Sequence, residues 1–204
     1  MKNLNKSYFK NKSKSQTFIN RWVSIIESQN KCKYEKFEVD TSLGKSIIYG
    51  INTEKIELQS LIIFPGYRTS SLFWDLDNNL KIFKKNYRIY LIETNGQPNL
   101  SDGYTPNIKS LEYGHWANEV ITKLNIETTF IAGASFGALI CMKLALVVPE
   151  KIKACFLLNP ACFSFFSLLP KNLYYNLLPV LAPSITNIKK FINAVIFFKP
   201  KHSI

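Results

Sequence analysis

The fold is decided by residues 129–145, which read TFIAGASFGALICMKLA. Residues 129–132 form an apolar run typical of a buried strand, and residues 138–145 are typical of a helix. Between them lies Gly133-Ala134-Ser135-Phe136-Gly137, the pattern G-x-S-x-G. In this context the pattern predicts a tight strand-to-helix turn that holds the hydroxyl of Ser135 above the sheet. A serine held in this way attacks acyl carbonyl groups, so the stretch predicts a chemistry as well as a fold.

Small residues on both sides of the serine support this interpretation. Strand and helix backbones approach closely at such a turn, and Gly133, Gly137 and Ala138 leave the room for it. The helix that follows presents unpaired N–H groups and the positive end of its dipole to a developing oxyanion. The alternative is a plain turn that only joins a strand to a helix, and the context favours the nucleophile.

The composition indicates a globular protein without cofactors. The chain has 204 residues, 47% hydrophobic and 20% charged, which is enough for one domain with a substantial core. No apolar segment that resembles a signal peptide follows the basic N-terminus, and no apolar run is long enough to span a bilayer. The four cysteines, Cys32, Cys141, Cys155 and Cys162, lack metal-ligand spacing. We therefore expect a cytoplasmic, disulfide-free protein with no metal and no cofactor.

The positive charge favours a lysine-rich surface over a nucleic-acid site. The net charge is +12, but the lysines are scattered and no basic block is interleaved with stacking aromatic residues. We expect no nucleic acid as a partner. Attraction to an anionic membrane surface is a weaker alternative, and residues 2–14 and 199–201 are its best candidates.

The remaining patterns alternate between strands and helices. An amphipathic helix near residues 18–26 precedes a hairpin over residues 34–49. Further strands are predicted at 61–64, 87–92, 129–132 and 152–158, with helices at 72–84, 113–124 and 138–145. This order predicts an α/β fold with a mostly parallel sheet, helices on both faces and ligands at the carboxyl ends of the strands.

The chain resembles the α/β-hydrolase family, and within it the serine carboxylesterases, from about residue 34 onward. Three segments carry the resemblance: the elbow at 133–137, the segment LIIFPGYRTSSLFW at 61–74 and the segment YLIETNGQPNLS at 90–101. The second is similar to the family's strand and His-Gly loop, with Pro65 in place of the histidine. The third occupies the place of the family's acidic, glycine and serine loop.

The resemblance also implies site residues. Ser135 is the nucleophile, and the backbone N–H groups of Tyr67 and Phe136 form the oxyanion hole. Gly66, Gly133 and Gly137 support the loop and the elbow. A different interpretation of Tyr67 is an exposed loop aromatic with no role.

The acid and the base of the family's triad are not visible in the sequence. They should follow Ser135 in the order acid, then histidine. Glu150 is the acidic residue after Ser135 and is typical of a solvated connector, while Asn159 carries an amide where some members have the acid. His202 lies near the end of the sequence, and His115 is expected on the exposed side of a helix. The triad acid and base are therefore unknown, and we expect the chain to be truncated before them, with the last strands of the fold missing.

These observations predict three segments and leave three functions open. Residues 1–33 form a basic segment with a short helix, residues 34–162 the α/β-hydrolase core, and residues 163–204 a partial helical cap. The first function is hydrolysis of a small-molecule ester or thioester by Ser135. The second is a truncated, inactive hydrolase-fold protein, and the third is a module that binds a membrane surface or a partner. The acyl group, the alcohol and the oligomeric state are not predicted.

Overall fold

The computed structural model describes residues 4–161 and 170–196. The chain divides into two compact units, Met1–Cys162 and Phe163–Ile204. The first unit contains the sheet and all the predicted site residues, and the described part of the second is helical.

A sheet of six described strands forms the centre of the first unit. The strands are β2 (Glu35–Thr41), β3 (Gly44–Ile51), β4 (Gln59–Phe64), β5 (Tyr87–Glu93), β7 (Thr129–Ala134) and β8 (Ile152–Leu158). Their order in the sheet, from one edge to the other, is β2-β3-β5-β4-β7-β8. The hairpin β2–β3 and the pair β3–β5 are antiparallel, and the three other neighbouring pairs are parallel. The predicted N-terminal hairpin and mostly parallel sheet are confirmed.

Helices cover both faces of this sheet because alternate residues of each strand point to opposite faces. On one face, Ile62 and Phe64 of β4 pack in the core that includes α2 (Glu112–Lys123) and α3 (Phe136–Val147). On the other face, Leu61 and Ile63 pack in the core that includes Ile26 of α1 (Lys12–Asn30).

The segment predicted as a helix at residues 72–84 is not an α-helix. It contains the 3₁₀ segments Ser71–Asn78 and Phe83–Lys85, and the first is broken by a left-handed residue, Asp77, with φ of 54°. Asp75, fully buried, accepts hydrogen bonds from the N–H of Leu80 at 3.1 Å and the hydroxyl of Tyr34 at 2.7 Å. Because its side chain bonds the backbone locally, it competes with helical hydrogen bonding.

Two short strands and a helical unit complete the structure. β1 (Asn5–Lys6) pairs with β6 (Tyr104–Thr105) away from the main sheet. In the second unit, α4 (Pro170–Leu181) and α5 (Ile185–Phe191) precede a π-helical turn at Ile192–Ile196. The role of this unit as a cap stays a prediction. Among residues 4–161 and 170–196, no helix combines the length and apolar character that a membrane span needs.

Candidate active site

Ser135 lies at the junction between β7 and α3 in a strained backbone conformation. Its φ is 51° and its ψ is −110°, although it is not glycine. Few residues with a side chain adopt a positive φ, and those that do concentrate at functional sites. Ser135 is exposed, and its side chain makes no capping hydrogen bond to the helix that it precedes. A serine at this position usually caps the helix, so the hydroxyl is left available for another role.

The backbone of Ser135 is fixed from two sides. Its N–H donates to the carbonyl of Leu158 at 2.9 Å, and its own carbonyl accepts from the N–H of Ala161 at 3.1 Å. The carbonyl also accepts from the N–H of Leu139, at 3.2 Å, within α3. These bonds connect the turn to the carboxyl end of β8, and they hold the strained conformation in place.

Two glycines allow three backbone segments to meet at this turn. A Cβ on Gly137 would overlap the carbonyl of Phe64 and would lie 2.6 Å from the carbonyl oxygen of Pro65. A Cβ on Gly133 would overlap the backbone of Gly137. The ends of β4 and β7 and the start of α3 are therefore in direct backbone contact.

The loop after β4 lies beside Ser135. Gly66 begins a turn in which its carbonyl accepts from the N–H of Thr69 at 3.3 Å and from the hydroxyl of Thr69 at 2.9 Å. A Cβ built on Gly66 would lie 4.0 Å from the Cβ of Ser135. The turn thus brings the two segments that the sequence singled out to one point at the edge of the sheet.

Tyr67 and Phe136 are neighbours across this point. Their rings are edge to face with centroids 5.9 Å apart. Phe136 is the first residue of α3, where N–H groups have no acceptor within the helix. Within residues 4–161 and 170–196, neither the N–H of Phe136 nor that of Tyr67 donates a hydrogen bond. Two free N–H donors therefore lie next to the exposed Ser135. The side chain of Tyr67 is 59% exposed, which also agrees with the other interpretation, an exposed aromatic residue of a loop.

The described residues considered as acid or base make no hydrogen bond to the Ser135 hydroxyl, although Asn159 lies between Leu158 and Ala161, which both bond to the Ser135 backbone. Glu150 is exposed in a 3₁₀ turn, His115 is exposed on α2, and Asn159 is exposed after β8. His202 lies outside the described residues. In the described part of the chain, no carboxyl or imidazole group is hydrogen-bonded to the hydroxyl of Ser135, and no group of three or more His, Cys, Asp or Glu residues could hold a metal ion.

Comparison with known proteins shows which of them this arrangement resembles. An uncharacterized carboxylesterase, nap, of Bacillus subtilis strain 168 is 28% identical over 131 residues, which are 64% of this chain and 42% of that protein. The crystal structure of carboxylesterase CesB from B. subtilis superposes with a TM-score of 0.71 at 21% identity, over 94% of this chain and 64% of the other. The chain has the α/β-hydrolase fold and is similar to carboxylesterases. The B. subtilis naproxen esterase structure gives the same TM-score at 22% identity, over 92% of this chain and 61% of the other.

This chain spans less than half the length of the curated relative and less than two thirds of both crystal structures. No family model matches the sequence. The solved structures share the fold with this chain at low sequence identity, so they support its architecture. Any statement about its reaction must be argued from the residues of the site.

A buried acid lies next to this site, in a segment that carries the resemblance but with no role assigned to it from the sequence. Glu93, at the end of β5, is 1% exposed and accepts hydrogen bonds from Ser70 and Ser71 of the neighbouring loop. Burial raises the pKa of Glu93 from 4.5 to about 7, against the opposing effect of the hydrogen bonds from these serines. In the sequence, the only indication of this role was an acidic residue at the end of a buried strand. The role became clear once the structure showed its hydrogen bonds to Ser70 and Ser71.

The raised pKa of Glu93 predicts a pH-dependent stability. Between pH 4.5 and about 7 the folded state keeps a proton that the unfolded state has lost, so the stability falls as the pH rises through this window. We expect Glu93→Gln to remove up to about 3 kcal/mol of this loss between pH 5 and pH 8. Urea unfolding at both pH values measures it. The exposed Glu57→Gln is the control, and equal pH dependence in the wild type and both variants would refute the assignment.

A positively charged cleft of about 910 Å³ opens beside the loop. It is lined by Tyr67 and Arg68 but not by Ser135. Its basic residues are Lys6, Lys12, Lys36, Lys45 and Arg68, and its acidic residues are Glu38 and Asp102. Lys36 and Lys45 are paired with Glu38 at 3.1 and 2.7 Å, so part of this charge is neutralised locally. The cleft therefore adjoins the candidate site without containing its reacting group.

Proposed function

We propose that this protein is a serine hydrolase that cleaves carboxylic esters, with Ser135 as the nucleophile. The observation that carries the proposal is the strained, exposed Ser135 between a strand and a helix, with its hydroxyl left out of the helix cap. Keeping a residue at a positive φ is unfavourable by about 1–3 kcal/mol and persists where the surroundings enforce it. A plain connecting turn would not need that conformation at a serine.

In the proposed reaction the Oγ of Ser135 attacks the ester carbonyl carbon and its proton passes to a general base. The carbonyl oxygen becomes an oxyanion, which accepts hydrogen bonds from the free N–H groups of Tyr67 and Phe136. The C–O bond to the alcohol then breaks, the alcohol leaves with a proton, and water releases the acid from the acyl serine. A thioester would react in the same way with a thiol as leaving group. Small esters of this kind are the proposed substrates.

The base in this reaction lies outside the described residues, because none of those residues offers an imidazole or a carboxylate in hydrogen-bond contact with Ser135. His202 is a histidine of the chain outside them. The same observation favours a second candidate function, a hydrolase-fold protein that forms an acyl serine but does not release it. A missing base slows release as well as attack, since both steps need a proton transfer.

Hydrolysis of p-nitrophenyl esters of increasing acyl length tests the proposal. We expect the wild type to release p-nitrophenol, and Ser135→Ala to lower the rate by at least about 10³-fold. Ser42→Ala, at an exposed hairpin turn, is the matched control and should react like the wild type. A single burst of one p-nitrophenol per chain without turnover would identify the second candidate. Equal rates in the wild type and Ser135→Ala would exclude both.

A further inference from the structure

The loop after β5 holds the loop after β4 at the residue next to Tyr67. The side-chain oxygen of Gln97 accepts the N–H of Arg68 at 2.8 Å, and Gln97 is only 8% exposed. Arg68 has a φ of 57°, so the chain turns sharply at this residue. Because Gln97 is buried and the bond is partly buried, loss of the acceptor would leave the N–H of Arg68 without its partner in the protein.

The direction of the Tyr67 N–H follows from the bonds on either side of it. The carbonyl of Gly66 and the N–H of Tyr67 belong to one planar trans peptide, so they point in opposite directions. Thr69 holds that carbonyl through its N–H and its hydroxyl, at 3.3 and 2.9 Å. With Gln97 holding the next N–H, the Tyr67 N–H is fixed from both sides and has no acceptor of its own in the described chain.

The far end of the same loop is held by Glu93. Its Oε1 accepts from the hydroxyls of Ser70 and Ser71, the latter at 3.0 Å, and from the N–H of Ser71 at 3.2 Å. Its Oε2 has no hydrogen-bond partner among the described residues. The titratable side chain that interacts with it from the neighbouring strand β3 is Tyr49, and Asn99 approaches it from its own loop.

We propose that Gln97 and Glu93 are positioning residues for the Tyr67 N–H, acting through Arg68 at one end of the loop and through Ser70 and Ser71 at the other. This inference rests on the proposed function, because an oriented N–H matters only where an oxyanion forms. The loop after β5 then sets the oxyanion hole without touching the substrate. The chemistry of the site depends on two neighbouring strand ends as well as on the strand that carries Ser135.

Two substitutions of Gln97 distinguish the effect of side-chain length from the effect of the hydrogen bond to Arg68. Gln97→Met keeps the length and removes the acceptor, while Gln97→Glu keeps both. We expect the amide of Arg68 to exchange about tenfold faster with solvent deuterium in Gln97→Met, and Gln97→Glu to restore most of the protection. The exposed Gln29→Met on α1 is the matched control and should leave Arg68 unchanged. Glu93→Leu should likewise accelerate exchange at Ser71, and Glu93→Gln should preserve it.

The rate at which a fluorophosphonate labels Ser135 is the functional readout. We expect Gln97→Met to slow labelling by about 10- to 100-fold with a melting temperature close to that of the wild type, because a misdirected donor weakens oxyanion stabilisation without unfolding the core. Unchanged exchange at Arg68, or unchanged labelling despite faster exchange, would overturn the proposal. If the wild type is not labelled at all, the proposed function fails, and the exchange measurement still decides whether these side chains position the loop.

Discussion

Gly137→Ala is expected to lower the free energy of unfolding by about 3 kcal/mol or more. The added methyl group would overlap the carbonyl of Phe64 and lie 2.6 Å from the carbonyl oxygen of Pro65. Backbone carbonyls at the end of a central strand cannot move aside as a flexible side chain can. Alanine favours a helix over glycine by about 1 kcal/mol, which offsets only part of this loss. Urea unfolding followed by far-UV circular dichroism measures the difference.

Gly66→Ala is the matched control for this prediction. A Cβ at Gly66 meets nothing closer than the hydroxyl of Thr69 at 3.5 Å, and φ at Gly66 is not positive. We expect its stability to remain within about 0.5 kcal/mol of the wild type. If both glycine variants unfold at the same urea concentration as the wild type, the backbones of β4, β7 and α3 do not approach each other as closely as described.

Trp116→Ala is expected to reduce the stability by about 3–5 kcal/mol. Trp116 is fully buried on α2 and packs against the rings of Phe64 and Tyr113, with centroids 6.0 and 5.9 Å away. Its indole N–H donates to the hydroxyl of Ser46 at 2.9 Å, and that hydroxyl donates to the side-chain oxygen of Asn95 at 2.6 Å. The tryptophan thus connects α2 to β3 and to the loop that holds Gln97.

Trp116→Phe separates packing from hydrogen bonding at the same position. The phenyl ring fills most of the volume but offers no N–H, so we expect a smaller loss of about 1–2 kcal/mol. Thermal and urea unfolding of both variants measure the two contributions. A Trp116→Ala variant as stable as the wild type would show that this helix does not pack on the sheet as described.

Local patterns in the sequence were enough to predict the sheet and the position of Ser135. The alternation of Leu61, Ile62, Ile63 and Phe64 between two cores follows from strand geometry and a sheet covered on both faces. The turn at Ser135 was predictable because its signal lies within five consecutive residues. In α2, Tyr113, Ala117, Val120 and Ile121 recur at helical spacing and are buried, and Trp116 is buried beside them although it lies outside that spacing.

Residues whose roles depend on distant partners were not predicted. Glu93 ends a strand and Gln97 lies in the loop after it, and only the fold brings them to Ser70, Ser71 and Arg68. The helix predicted at residues 72–84 failed because the Asp75 side chain bonds the N–H of Leu80 within that segment and also the distant hydroxyl of Tyr34. Hydrogen bonds between segments that are far apart in the sequence produce no periodic pattern, so they cannot be predicted from the sequence in this way.

The central claim is that the hydroxyl of Ser135 is an activated nucleophile. The most direct measurement is the intact mass of the protein after incubation with a fluorophosphonate probe, followed by peptide mapping of the labelled chain. We predict one adduct per chain, located on Ser135, absent in Ser135→Ala and unchanged in Ser42→Ala. No adduct in the wild type, or the same labelling in Ser135→Ala, would contradict the account.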